Sequence, residues 1–186
     1  MPGESILLTL RLAGSIPLQA GRELQAQRVA ALQADPTTHR RTEKQFFADF
    51  DALLDARPVG PDYLTKEKLA EMVAGELLML EEQGLQVPCF VVLPNHVHAV
   101  LHLPPGQGLS LYKAVELLHQ RTATQARRLL RGKLPPEADF WQTGFHELPV
   151  QDAAELARIR QYLLGHPQRL KLPERFHDWP YVFGGK

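Results

Sequence analysis

The apolar pattern of this chain predicts an α+β fold, an antiparallel sheet with helices packed on one face. Three observations carry that expectation. Short apolar runs that read as strands recur along the chain. Longer segments with helical periodicity separate them. Two of the strands are joined by nothing longer than Pro94-Asn95, a turn signal that suits antiparallel neighbours.

The elements follow in order. Ile6-Leu7-Leu8-Thr9-Leu10-Arg11-Leu12 reads as a first strand, ended by Ala13-Gly14-Ser15. Residues 18–34 read as a helix with Leu18, Leu24, Val29 and Leu32 as apolar points, and Asp35-Pro36 breaks it. A second helix covers about 41–55, where Phe46, Phe47, Phe50, Leu53 and Leu54 make an apolar stripe. Residues 57–61 form a loop. A third helix runs from about 66 to 83, with Leu69, Val73, Leu77 and Leu80 at helical spacing and Gly84 as its stop. Strands at 86–93 and 97–103 come next, then a Pro/Gly loop at 104–108. Ser110 caps a helix to about Leu130. A short strand at 145–150 precedes a last helix at 152–164 begun by Asp152, and the Pro- and aromatic-rich tail packs irregularly.

With the helix at 41–55 set aside, the order is strand, helix, strand, strand, helix, strand, helix. This is the ferredoxin-like, split β-α-β plan with an inserted helix. The expected organisation is one domain over 1–186 with a helical insertion at about 39–62. In such a fold one sheet face is left open to a ligand.

Composition narrows the function. The chain has 186 residues and a formal net charge of zero. It holds no apolar run of bilayer length and no basic leader followed by an apolar core, which points to a cytoplasmic protein with no membrane partner. Its one cysteine, Cys89, lies in the apolar run 87–92 and reads as a small buried hydrophobe. Positive charge is nevertheless clustered. Arg121, Arg127, Arg128, Arg131 and Lys133 form one stretch, and Arg158, Arg160, Arg169, Lys171 and Arg175 another. Such stretches suit phosphate contacts, and equally suit solvated helix faces.

The most informative segment is Leu93-Pro94-Asn95-His96-Val97-His98. Residues i and i+2 of a strand project from one face. His96 and His98 therefore offer two imidazoles side by side, half of a divalent-metal site, expected on the open face at the sheet edge. Val97, Ala99, Leu101 and Leu103 point to the buried face. His102 shares the histidine face but lies ~13 Å beyond His98 and ~20 Å from His96 at ordinary strand rise, too far for one ion. A histidine-triad hydrolase would need histidine at position 100, which is Val100. On the last helix Tyr162 and His166 stand i, i+4 apart, about one turn along one face. Spacing alone fits a third ligand beside a reactive phenol, and also a core tyrosine with a dipole-favoured terminal histidine.

Together these motifs resemble the REP-associated tyrosine transposases, relatives of the single-tyrosine HUH transposases. Residues 93–98 resemble that family's Met-Pro-Asn-His-Val-His, Phe140-Trp141-Gln142 its Phe-Trp-Gln, and residues 162–167 its Tyr-Ile-x-x-Asn-Pro helix end. Gly60-Pro61-Asp62-Tyr63-Leu64 and the inserted helix resemble its longer members. The chain departs from the pattern in three places. His166 stands where the family has asparagine and related transposases a glutamine ligand. His119-Gln120-Arg121-Thr122-Ala123 lacks the lysine of Lys-Ser-x-Thr-Ala. Leu148 and Gln151 replace arginines.

The resemblance implies cleavage and rejoining of single-stranded DNA through a 5′-phosphotyrosine, on hairpin-forming repeat elements. It implies Tyr162 as nucleophile and Mg²⁺ or Mn²⁺ on His96, His98 and His166. DNA would lie along Arg121, Arg127, Arg128, Arg131, Lys133, Arg158 and Arg169. Asn95 is expected to set the turn, and Trp141 to be core. Related transposases act as dimers and REP-associated members singly, so a homodimer is one of two open states. Two other readings remain at this stage: a non-catalytic DNA-binding remnant, and a small metal-dependent phosphohydrolase.

Overall fold

Strand β3 (His96–Leu103) is the middle of the sheet, paired antiparallel with β1 (Glu4–Arg11) on one side and β2 (Gln86–Val92) on the other. The computed structural model describes residues 3–56, 59–106 and 109–185. Beyond β1 lies β4 (His146–Val150), and beyond β2 a two-residue strand, β5 (Val182–Phe183), giving the order β4-β1-β3-β2-β5. All pairings are antiparallel. The fold is therefore α+β on the expected ferredoxin-like plan. The irregular tail was expected to carry no strand; β5 corrects this. Two residues are too few to show an alternating pattern, and the strand exists because β2 offers an edge at Phe90 and Val91.

The helices are α1 (Leu18–Ala34), α2 (His39–Asp55), α3 (Glu67–Leu78), α4 (Leu111–Leu130), α5 (Ala153–Leu164) and α6 (His166–Arg169). Their starts follow the capping residues. Ser110 Oγ accepts the Lys113 amide at 3.3 Å and Asp152 Oδ1 the Glu155 amide at 2.7 Å. The helix expected over 66–83 ends early, at Leu78. A separate 3₁₀ turn, Glu81–Gln83, carries the chain to Gly84, whose φ of 88° needs glycine. The loops read at 57–61 and 104–108 include residues 57–58 and 107–108, which lie outside the described residues.

Both faces of β3 are covered. Val97, Ala99 and Leu101 are wholly buried in one core with Leu69, Val73 and Leu77 of α3 and Leu118 and Ala126 of α4. Trp141 is core, as expected, its indole N–H donating to Thr122 Oγ1 at 2.7 Å. Cys89 is buried, and burial pushes its thiol up to about 11. The histidine face was expected to be open, but His96 and His98 are 0% exposed. Helix α2 lies over it.

Three kinds of contact hold α2 there. Phe46, Phe50 and Leu54 form a second apolar cluster with Ile16 and Leu24. Each such buried side chain contributes about 1.5–3 kcal/mol. At its start, Arg40 and Lys44 each lie 2.6 Å from Glu155 of α5. At its end, the Leu54 carbonyl accepts a hydrogen bond from Asn95 Nδ2 at 3.1 Å. The apolar stripe of α2 is legible in sequence, but its target is not, because a stripe says that a face is buried and not against what.

Two buried imidazoles away from the histidine pair make the fold sensitive to acid. Burial pushes His119, stacked on the Trp141 indole, down to about 4. Burial, then Arg28 and Arg11, does the same to His146. Between that value and the ordinary 6.5 the unfolded chain binds the extra protons, so acid favours unfolding. The melting temperature is expected to fall between pH ~6.5 and pH ~4, and His119→Phe to make the fall shallower. Thermal melts across that range measure both; a slope identical in the variant would exclude His119 as a source.

Candidate metal and nucleophile site

The site is assembled from the start of β3, the last turn of α2 and the α5–α6 junction. His96 and His98 project from one face of β3 with ring centroids 4.8 Å apart. Thr9 of β1 lies directly opposite His98. Its hydroxyl is 2.9 Å from His98 Nδ1, while His98 Nε2 is 2.6 Å from Asp51 Oδ1. A carboxylate can only accept, so Nε2–H donates to Asp51 and Nδ1 accepts from Thr9. Both nitrogens of His98 are thereby engaged.

His96 is held differently. Its Nδ1 is 2.8 Å from Asn95 Oδ1, an amide oxygen that accepts. Asn95 thus does more than set the turn: it bonds α2 with one end of its amide and orients His96 with the other. That leaves the Nε2 lone pair of His96 buried and without a hydrogen-bond partner, 3.6 Å from Asp51 Oδ1 and 4.0 Å from Asp55 Oδ1. Burial pushes His96 down to about 4, so near neutral pH the ring is uncharged, the form that binds metals. An orphaned lone pair aimed at two carboxylates is the arrangement a cation resolves.

His166 approaches from the other side, its Nε2 2.9 and 3.0 Å from the two Asp55 oxygens. Ligand atoms of Asp51, Asp55, His96 and His166 lie within 4.8 Å of one another. Two carboxylates and two imidazoles form a mixed oxygen–nitrogen donor set, better matched to Mn²⁺ than to oxygen-seeking Mg²⁺. Burial tends to raise the Asp51 carboxyl, but His98 and His96 beside it outweigh burial and hold it well below the carboxylate range. It is therefore ionised.

Tyr162 completes the cluster. Its hydroxyl donates to Asp51 Oδ2, and its ring centroid is 5.1 Å from that of His166. Burial, then the Asp51 charge and hydrogen bond, push the phenol well above its ordinary value. It is held as a protonated donor. The expected single helix face for Tyr162 and His166 is modified: α5 ends at Leu164 and α6 restarts at His166, with Gly165 between. The i, i+4 rings still meet.

The structure thus brings together Tyr162, His96, His98 and His166. Among the described residues the group that could hold a metal ion is Asp51, Asp55, His96 and His166; His98 is not part of it, and both its nitrogens are engaged by Thr9 and Asp51. Asp51 and Asp55 were missed in the sequence. A signal existed: Asp51 falls inside the stripe Phe47, Phe50, Leu54, and an acid on an apolar helix face needs a partner.

Of the cationic residues, Arg169 joins the site, its guanidinium 3.9 Å from the Tyr162 ring centroid and Nη1 donating to the Tyr162 carbonyl at 2.7 Å. Arg158 is exposed on α5. Arg121, Arg127 and Arg128 are on α4, with Arg131 and Lys133 just beyond, and none bonds to a member of the cluster among the described residues. Arg127 instead donates to the Pro135 and Ala138 carbonyls, bracing a loop. Arg121 lies 3.7 Å from Glu76.

A family model described as "Transposase IS200 like" matches residues 63–166, which include His96, His98, Tyr162 and His166. The chain belongs to the IS200-like transposase family. A solved structure with the same fold is described as a REP-associated tyrosine transposase bound to a REP hairpin. It superposes with a TM-score of 0.59 at 14% identity, covering 98% of this chain and 77% of that one. No curated protein matches the chain. Asp51 and Asp55 lie outside the residues that match the IS200-like model, on the helix that precedes them.

If these donors hold a cation, removing one weakens it. Asp55→Asn and His96→Ala are each expected to lower Mn²⁺ affinity ~10-fold or more, and Arg128→Ala to leave it unchanged. Calorimetric titration decides; an Asp55→Asn protein with wild-type affinity would remove α2 from the site.

Proposed function

We propose that this protein is a metal-dependent single-stranded DNA endonuclease and strand transferase that acts through Tyr162. The observation that carries the reading is that one carboxylate, Asp51, both accepts the Tyr162 hydroxyl and belongs to the metal donor group. Nucleophile and electrophilic centre would then meet at a single phosphate. The residues 1–186 are read as one working domain, with α2 as an insertion that contributes to the site. Hairpin DNA is the substrate we infer, in keeping with the hairpin held by the solved neighbour.

His96, His166, Asp55 and Asp51 would hold Mg²⁺ or Mn²⁺. Lewis acidity at a non-bridging phosphate oxygen is what such a cation supplies when bound. The Tyr162 oxygen attacks phosphorus in line and forms a Tyr–O–P bond. The P–O3′ bond breaks, and the departing 3′ oxygen takes up a proton. The phenol proton has to leave as attack proceeds, because a protonated phenol is a weak nucleophile. Asp51 already accepts the hydrogen bond and is in position to take it. The 5′-phosphotyrosine conserves the phosphodiester bond energy, so the 3′ hydroxyl can reverse the step. Asp55, whose side chain is 22% exposed, is the donor nearest to solvent and marks the side from which a strand enters. Arg169 lies over the nucleophile's ring with its charge available to an adjacent phosphate.

A labelled hairpin oligonucleotide with single-stranded flanks, incubated with Mn²⁺ and resolved under denaturing conditions, tests this. The expected result is a protein–DNA adduct that is absent with chelator and absent in Tyr162→Phe. Binding with no adduct under any divalent ion would favour a non-catalytic remnant. Hydrolysis that survives Tyr162→Phe would favour a phosphohydrolase.

A further inference from the structure

The cluster occupies one flank of α2. On the other flank, α1, α2 and the β1–β4 edge enclose a groove of about 1000 Å³. Its floor belongs to the same sheet face as the histidines. Arg11, on that floor, is the direct partner of His96 across the β1–β3 pair, and His146 is the partner of Thr9, which bonds His98. At the end of α2 Asp55 faces His166, and Val59, four residues on, lines the groove.

Its lining has a definite chemistry. Among the described residues it includes two cations, Arg11 and Arg22, and no carboxylate. Arg11 Nη1 is buried with no hydrogen-bond partner, while its guanidinium lies 5.8 Å from the Phe50 ring centroid. A shielded guanidinium with an unused donor calls for an anion. Around it Ile16, Phe50 and Val29 supply apolar wall, and Gln142 and His146 supply amide and imidazole groups. An anion beside a flat apolar wall with a few polar groups describes a nucleotide of an unpaired strand.

We propose that this groove binds the single-stranded DNA flanking the scissile phosphate, with one phosphodiester on Arg11 and a base against the exposed apolar side chains of Leu18 and Val29. The inference rests on the DNA reading above and extends it to a site that the cluster does not include. The strand would round the end of α2 between the two. Such a groove would let a chain without net positive charge hold DNA: the contact is one enclosed cation beside an apolar wall, not a broad basic surface.

Fluorescence anisotropy with two labelled hairpins, one with a single-stranded tail and one without, tests the proposal across a salt series. Arg11→Met is expected to weaken the tailed hairpin ~10-fold and reduce its salt slope by about one, leaving the untailed hairpin unchanged. Val29→Glu, an exposed position on α1, puts a carboxylate at the groove mouth and is expected to weaken the same complex. It decides the matter alone if Arg11→Met fails to fold. Unchanged affinity and slope for the tailed hairpin in the folded variants overturn the groove while leaving the DNA reading intact. A wild-type protein that binds neither hairpin overturns both.

Discussion

The Asp51 carboxylate is the interaction on which the rest of this structure depends. It is buried, ionised and shared: one oxygen accepts from His98 and the other from Tyr162. A buried carboxylate is costly unless it is paired and hydrogen-bonded, and partners on β3 and α5 satisfy this one. Because Asp51 rides on α2, its bonds also tie that helix to β3 and to α5. Position, charge and proton of the Tyr162 hydroxyl are thus set by a residue outside the segment that carries the histidine and tyrosine motifs.

The covering of the histidine face follows from the same constraint. Two imidazoles on an open sheet would be hydrated and free to turn. Here Asn95 fixes one ring and Thr9 with Asp51 fixes the other. The site gains rigidity and loses solvent, which strengthens electrostatic contacts inside it. The arrangement also divides the sheet face. One flank of α2 faces the cluster with Tyr162, and the other faces the Arg11 groove. On the proposed reading a single strand would meet both.

Much of this was legible in the sequence. The strand–helix order, the Ser110 and Asp152 caps and the His96/His98 pair follow from local chemistry, and local chemistry is what sequence displays. The resemblance carried by residues 93–98, 140–142 and 162–167 pointed to the family to which the chain belongs. What escaped was tertiary. The apolar stripe of α2 shows that it packs somewhere, yet nothing local says that it packs over the histidines. Asp51 and Asp55 read as ordinary helix acids until their partners come from β3 and α6, more than forty residues away. His98 looks equivalent to His96 in sequence; the neighbours that engage both its nitrogens, Thr9 and Asp51, are remote in the chain. The β5 strand is too short to carry a pattern of its own.

We infer that this buried group of acids and imidazoles is a metal centre set against the Tyr162 hydroxyl. The decisive measurement is anomalous diffraction from crystals equilibrated with Mn²⁺. One strong peak is expected, bounded by His96 Nε2, His166 and the Asp55 carboxylate, beside Tyr162. No peak at saturating Mn²⁺, or a peak elsewhere on the molecule, would overturn the metal centre.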